Sequence, residues 1–196
     1  MKWIISRYNH KIGYIKDYTD DVVMYDRSEV PIEGSIVVPN VGNADYDKLC
    51  YLVDNYDNLP AVFFWGKANL FDYIKPKEFE HIKDNKTFTP ILSQDHHTYE
   101  PICRYKDGMY QEINNSWYLS SHSSKYFNNY NEFAIEFGLP TPEYLAFNPG
   151  GNFILTKEVV HKYPKEFYER LRDLLPYTQL PGEAHFCERS YYTMWS

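Results

Sequence analysis

Four short polar runs stand where apolar, strand-like segments end in the first seventy residues: Ser6-Arg7-Tyr8-Asn9, Tyr25-Asp26-Arg27, Asn40-Val41-Gly42-Asn43 and Gly66-Lys67-Ala68-Asn69. Three of them carry a cation. In an open α/β sheet, ligands settle outside the carboxyl ends of the strands, so these runs mark where a ligand would be met. A nucleotide diphosphate asks for a slot for its base, an acceptor for its ribose hydroxyls and positive charge for its phosphates. Tyr8 suits stacking on a base, Asp26 suits ribose hydroxyls, and Arg7 or Lys67 suits phosphate oxygens. Singly, each is also an ordinary solvated loop residue; the reading rests on their convergence.

Two glycine-bearing segments add to this. In Asn40-Val41-Gly42-Asn43-Ala44-Asp45, a glycine between strand and helix lets backbone approach a ligand, and the helix N-terminus favours an anion or a hydroxyl. The spacing is neither that of a P-loop nor that of a dinucleotide fingerprint, and a simple capped turn explains it equally well. Near the other end, Pro149-Gly150-Gly151-Asn152 precedes a strand-like run, and Gly182-Glu183-Ala184-His185-Phe186-Cys187-Glu188-Arg189 opens a helix. On that helix His185 and Glu188, three apart, share a face. Sugar transfer with inversion needs a carboxylate or imidazole to take the acceptor hydroxyl proton and positive charge to stabilise the departing diphosphate. Glu183, His185 or Glu188 fits the first role, while a buried carboxylate braced by an arginine or lysine is the structural alternative.

Many sugar-nucleotide enzymes hold Mn2+ or Mg2+ through a D-x-D motif after a core strand. The matching stretch here, FFWGKANLFD, offers Lys67 in place of paired aspartates, and Asp20-Asp21 precedes its strand. Asp95-His96-His97 with the distant His185 has ligand types for a transition metal, although adjacent histidines in a polar loop are usually just exposed. A lysine supplying the cation's charge points to metal-independent transfer, with Mn2+ or Mg2+ as the ion to test.

The elements that must position these residues follow from hydrophobic periodicity. Short apolar runs at residues 3–6, 21–25, 35–38 and 61–65 read as strands, Gly66 breaking the last, and a short helical segment covers Ile12 to Tyr18. Leu49, Leu52, Val53 and Tyr56 form an amphipathic helix stripe, which Asn43 or Asn40 would cap and Pro60 would end. Alternating strands and helices favour a parallel α/β sheet. Residues 84–128, rich in Asn, Ser, Tyr and His, read as a long, partly irregular insertion. Beyond it come a helix over 131–137, a strand over 152–155, a helix capped by Thr156, another opened by Pro164 with Phe167, Leu171, Leu174 and Leu175 on one stripe, and a last helix over 183–195.

A chain of 196 residues suggests one domain with a sizeable core. Its 20 tyrosines suit walls of polar-ligand pockets, although an AT-rich genome enriches the same residue. A net charge of −7, without runs of lysine or arginine, shows no nonspecific nucleic-acid footprint, although a local basic cleft stays open. Cys50, Cys103 and Cys187 are far apart and odd in number, which argues against a disulfide framework and against a zinc site of paired cysteines. The N-terminus lacks a signal-peptide core and no apolar run approaches the ~20 residues of a membrane span. A cytoplasmic protein is expected.

The runs SRYN, VPNVGNADYDKLCYLVDNYDNLP and FFWG resemble a family of largely uncharacterised proteins of fungi, bacteria and large viruses. The tail GGNFILTKEVVHKYPKEFYERLRDLL…PGEAHFCERSYYTMW is similar to the distal half of GT-A-fold sugar transferases. Together these matches cover about half the chain. The resemblance implies a single compact α/β domain over 1–196, with a GT-A-like (Rossmann-like), mostly parallel sheet flanked by helices. A nucleotide-binding half would span 1–75 and an acceptor and catalytic half 145–196. It points to Arg7, Asn9, Asn40, Gly42 and Asp45 on the donor side, Asn152 toward the acceptor, and Glu183, His185 and Glu188 as catalytic candidates; Gly151, whose bare backbone can lie close to a substrate, joins Asn152 on the acceptor side. Where the family has arginine and glutamate after N-V-G, this chain has Asn43 and Ala44, with Asp45 one place later. The expected activity is transfer of a sugar from a nucleotide donor to a glycan or protein acceptor. The rivals are a non-catalytic glycan- or nucleotide-binding module and a transferase acting on modified bases in DNA.

Overall fold

A computed structural model describes residues 1–93, 103–106, 109–112, 121–140, 142–146 and 148–196, the two segments between 103 and 112 through their backbone alone. Lys2–Arg7 forms β1, Val22–Asp26 β2, Ile36–Val37 β3 and Val62–Lys67 β4. β1 lies between β2 and β4 and pairs in parallel with both, and β2 pairs in parallel with β3. Thr89–Pro90 forms β5, Cys103–Lys106 β6, Met109–Glu112 β7, Tyr144–Leu145 β8 and Phe153–Thr156 β9. β9 runs antiparallel beside β4, and β5 antiparallel beside β9. The main sheet therefore has the order β3-β2-β1-β4-β9-β5, mixed but mostly parallel, and β7-β6-β8 form a small second sheet.

Alternation along the central strands splits the apolar side chains between two faces. Ile4, Phe63, Trp65, Phe153 and Leu155 join one core, and Trp3, Ile5, Phe64 and Ile154 join the other. Both faces are covered, so β1 and β4 read as nearly unbroken apolar runs. Over the first face lie α1 (Asn43–Asp54) and α6 (Gly182–Trp195), with α5 (Lys165–Asp173) packed on α1. Leu49, Leu52 and Val53 of α1 are buried, each stabilising the layer by about 1.5–3 kcal/mol. The second face is covered by 3-10 turns at Gly13–Asp17 and Leu70–Asp72 and by α2 (Pro76–Ile82), which contribute Ile15, Leu70 and Phe79. Tyr130–Glu136 (α3) and the single turn Lys157–Val160 (α4) complete one compact α/β domain.

Several local expectations change. Gly66 lies inside β4: a Cβ there would stand 2.4 Å from the Phe64 ring and 2.7 Å from Asn152 Oδ1, so glycine is kept for a close approach and not as a breaker. β3 has only two residues, both exposed at the sheet edge. The segment from Ile12 to Tyr18 holds a 3-10 turn over Gly13–Asp17. Tyr56 falls outside α1, in a 3-10 turn of its own. Neither Asn40 nor Asn43 caps α1; Gly42, left-handed at φ 67°, occupies the cap, and Asn43 is itself left-handed at φ 56°. Within 84–128, β5 joins the main sheet and β6 and β7 pair with each other, which gives the regular part of this partly irregular segment. Asp95, His96 and His97 lie outside the described residues. Among the described residues, no helix is long and apolar enough to cross a membrane.

Candidate functional site

The strand order reverses at β1, whose neighbours are β2 on one side and β4 on the other, and the carboxyl ends of all three open on one edge. A crevice at such a switch point is where open α/β sheets bind ligands. α1 begins at this edge. Because β9 runs against β4, its amino end arrives there too, pairing Phe153 with Trp65. α6 packs its second turn against the same place.

Three layers of charge meet at the edge. In the deepest, Lys48 is fully enclosed, its ammonium 4.0 Å from the centre of the Trp65 ring. It donates to the Gly151 carbonyl at 2.9 Å and lies 3.5 Å from Asp45 Oδ1. Burial pulls this lysine down to about 8, with Asp45 pulling the other way. The Tyr191 hydroxyl, which burial raises well above its ordinary range, lies against the same aspartate.

Beside it, Asp47 accepts from Ser6 Oγ at 2.6 Å and faces Arg27 Nε at 3.6 Å. Burial pushes this carboxyl up to about 7 against the pull of Arg27 and Ser6.

Nearest to solvent is the pair Lys67–Glu188, with 3.8 Å between Nζ and Oε1 and side chains 14% and 21% exposed. The Glu188 Oε1 also accepts from the Gly150 N–H at 2.8 Å. Burial raises this carboxyl, and Lys67 pulls it partly back. The Lys67 backbone N–H donates to Asn152 Oδ1 at 2.8 Å, which ties β4 to the glycine turn.

That turn, Pro149–Gly151, has φ of 79° at Gly150 and 57° at Gly151. A Cβ on Gly150 would meet the Tyr73 ring at 2.6 Å, and one on Gly151 would meet Lys48 Nζ at 3.0 Å. Both positions therefore demand glycine on conformation and on space. Buried polar atoms here without a hydrogen bond to another described residue include Asp47 Oδ1, Asn148 Oδ1 and Asn152 Nδ2, with Asn40 Oδ1 in the turn before α1.

Of the residues singled out from sequence, Asp45, Lys67, Gly151, Asn152 and Glu188 come together here. Arg7 and Asp26 form a neighbouring pair at the ends of β1 and β2, with NH1 2.6 Å from Oδ2. The Asp26 oxygens also accept from the Ser28 and Ile32 N–H groups, so this carboxylate shapes the 27–32 loop instead of facing outward. Burial would raise Asp26, but the bonds from Ser28, Ile32 and Arg7 outweigh it and hold the carboxyl below its usual range. Tyr8 lies under Arg27, 5.8 Å from guanidinium to ring, and Asn9, left-handed at φ 58°, donates its N–H to Ser28. The Gly42 and Asn43 N–H groups donate to the carbonyls of Thr178 and Gln179, so the chain itself occupies this part of the α1 N-terminus.

Glu183 stands apart from this charged cluster. Its Oε1 accepts from Ser124 Oγ and from the N–H groups of Lys125 and Tyr126, and its Oε2 accepts from the Tyr177 hydroxyl. It is a fully buried clamp on the 123–126 segment. His185 Nδ1 is 2.7 Å from Arg189 NH1, both side chains buried within α6. Asp47, Lys48, Asn148 and Tyr191 escaped the sequence reading, and Ser6 and Arg27 stood in its polar runs without a role of their own. One signal was present: Asp45, Lys48, Leu49, Leu52 and Val53 fall at i, i+3, i+4, i+7 and i+8, so the apolar stripe of α1 continues into two charged residues.

Fold and site together define an α/β protein with a buried cluster of charged side chains at the switch edge of its main sheet. The family described as protein of unknown function DUF3431 matches residues 2–196, and the chain belongs to that family. No curated protein and no solved structure matches it.

Proposed function

We propose that the chain is a GT-A-type glycosyltransferase that moves a sugar from a nucleotide donor to a hydroxyl of a glycan or protein. The observation that carries this reading is the Lys67–Glu188 pair, 3.8 Å apart at the switch edge and held by the Gly150–Asn152 turn. The donor diphosphate lies against Lys67. Glu188, with Oε1 held by Gly150 and a proton affinity raised by burial, takes the acceptor hydroxyl proton on Oε2. The acceptor oxygen then bonds to the anomeric carbon as the bond from that carbon to the phosphate oxygen breaks, and the diphosphate leaves with its charge opposed by Lys67. A cavity of about 220 Å³ beside the ends of β1 and β4, bordered by His10, Tyr14, Asn69 and Phe71, offers a slot for the base.

Among the described residues no cluster of three metal-ligating side chains occurs. The nearest carboxylates, Asp45 and Glu188, already face the ammonium groups of Lys48 and Lys67. This set does not suit Mn2+ or Mg2+, and the reading gives the cation's role to lysine.

The test is a thermal-shift screen over UDP-, GDP-, TDP- and CMP-sugars, with and without Mn2+, followed by release of the nucleotide from any binder. A true donor raises the melting temperature by mass action. Glu188→Gln should keep that shift and lose about 10²–10⁴ in turnover; Lys67→Ala should lose the shift. If no sugar nucleotide at millimolar concentration shifts or is cleaved, or if Glu188→Gln turns over normally, the proposal fails.

A further inference from the structure

Away from the charged edge, a cavity of about 510 Å³ opens between α3 and α5, walled by Tyr126, Phe127, Phe137 and Leu174 and rimmed by Glu136 and Arg170. Its size lies within the range of about 300–1,000 Å³ of small-molecule pockets. We propose that this cavity is a binding subsite for a neutral oligosaccharide, stacked on the Tyr126 ring and hydrogen-bonded by Glu136 and Arg170, and that it holds the acceptor; the acceptor role rests on the transferase reading.

Three observations carry it. First, Tyr126 is 47% exposed, yet it is firmly placed. Its N–H donates to the buried Glu183 at 2.8 Å, and its ring meets Tyr177 edge-on at 5.9 Å. Tyr177 is in turn anchored to Glu183 through its hydroxyl, and Lys125 lies 5.0 and 5.4 Å from the two ring centres. Tyr177 and Lys125 do not line the cavity, so they brace the ring from outside it. A rigid exposed aromatic face costs little entropy when a ligand settles on it. Second, Arg170 NH2 and Glu136 Oε1 are 2.7 Å apart, about half exposed, and the guanidinium lies over Phe137 at 4.7 Å. This fixed pair presents donors and acceptors side by side, as sugar hydroxyls require. Third, each carboxylate of the rim has its own guanidinium, Glu136 with Arg170 at 2.7 Å and Asp173 with Arg172 at 2.8 Å, so the rim holds no uncompensated charge to draw an ion and suits a neutral ligand.

The chain also links this place to the catalytic edge. Just beyond Leu174, Leu175 packs where a Gly42 Cβ would stand 2.9 Å away, and the Thr178 and Gln179 carbonyls hold the α1 N-terminus.

The experiment is an NMR titration of the labelled protein with cellotriose, maltotriose, chitotriose and mannotriose, each to about 20 mM, a range that detects the weak affinities usual for one stacked ring. At least one should bind, with shifts centred on Tyr126, Phe127 and Arg170. Tyr126→Ala should weaken it at least fivefold and Arg170→Met at least threefold, with the amide spectrum elsewhere unchanged. No binding by any of the four, shifts centred elsewhere, or affinity indifferent to Tyr126→Ala overturns the subsite. Donor binding is read separately in the sugar-nucleotide screen. A chain that binds a trisaccharide but no sugar nucleotide therefore keeps the subsite and loses the transferase, and the reverse result does the opposite.

Discussion

Asp47 offers the sharpest test of the buried charge at the sheet edge. Its side chain is fully enclosed, accepts one bond from Ser6 and lies 3.6 Å from Arg27, and burial lifts its carboxyl from 3.8 to about 7. Between those values the native state keeps a proton that the unfolded chain has released. The folded protein then binds more protons than the unfolded one, so stability falls as pH rises. The contribution is fully present below about pH 4 and lost as pH passes 7. About three pH units at 1.36 kcal/mol each give about 4 kcal/mol, a large part of the 5–15 kcal/mol that holds a domain together. Asp47→Asn has no proton to lose. Urea melts of both proteins from pH 4 to 8 should show the wild type losing about 4 kcal/mol relative to the variant across that span. Other carboxyls cancel in the difference. If the two stability profiles run parallel within about 1 kcal/mol, Arg27 holds Asp47 charged throughout and the burial argument is refuted.

Three further outcomes follow from the same geometry. Gly150→Ala places a Cβ 2.6 Å from the Tyr73 ring at φ 79°, and should cost about 1–3 kcal/mol in a urea melt while disturbing Glu188 through the Gly150 N–H; an unchanged melt would show that the turn relaxes freely. Lys48→Met keeps the stem but removes the ammonium from Asp45 and Gly151, and should destabilise by about 3–5 kcal/mol at pH 7, since it breaks a buried ion pair by removing one partner; calorimetry checks this, and a neutral or stabilising result would mean that the pair does not support the fold. Glu183→Gln should cost about 1–3 kcal/mol and speed proteolytic cleavage near residues 123–126, because the clamp on their N–H groups weakens; unaltered cleavage would relieve Glu183 of that role.

Much of the frame was legible from residue order alone. The buried runs of β1, β2 and β4, the stripe of α1 and the extent of α6 arise from periodicities of two and 3.6, which depend on neighbours a few residues away. So does the Thr156 cap, whose hydroxyl accepts the Val159 N–H as expected. The glycines at 150 and 151 also announced a place where backbone comes close to something else.

What residue order left open was which charged groups meet. Glu183 and Glu188 lie five residues apart on one helix and look equally suited to chemistry. One is fixed by Ser124, Lys125 and Tyr126, while the other faces Lys67, 121 positions earlier in the chain. Asp26 has the type and place for a ribose, yet bonds from Arg7, Ser28 and Ile32 take its oxygens. Lys48 sits where a helix pattern calls for an apolar residue, and to the Asp45 carboxylate one turn away the fold adds the Trp65 ring and the Gly151 carbonyl, brought in by the antiparallel β9. Residue order alone was enough for the central strands, the longer helices and the edge on which their polar ends gather, because local sterics and burial act over a few residues. The tertiary structure decided which of those groups are clamps and which remain available, because the proton affinity and hydrogen-bonding capacity of a buried side chain depend on partners that only folding brings within 4 Å.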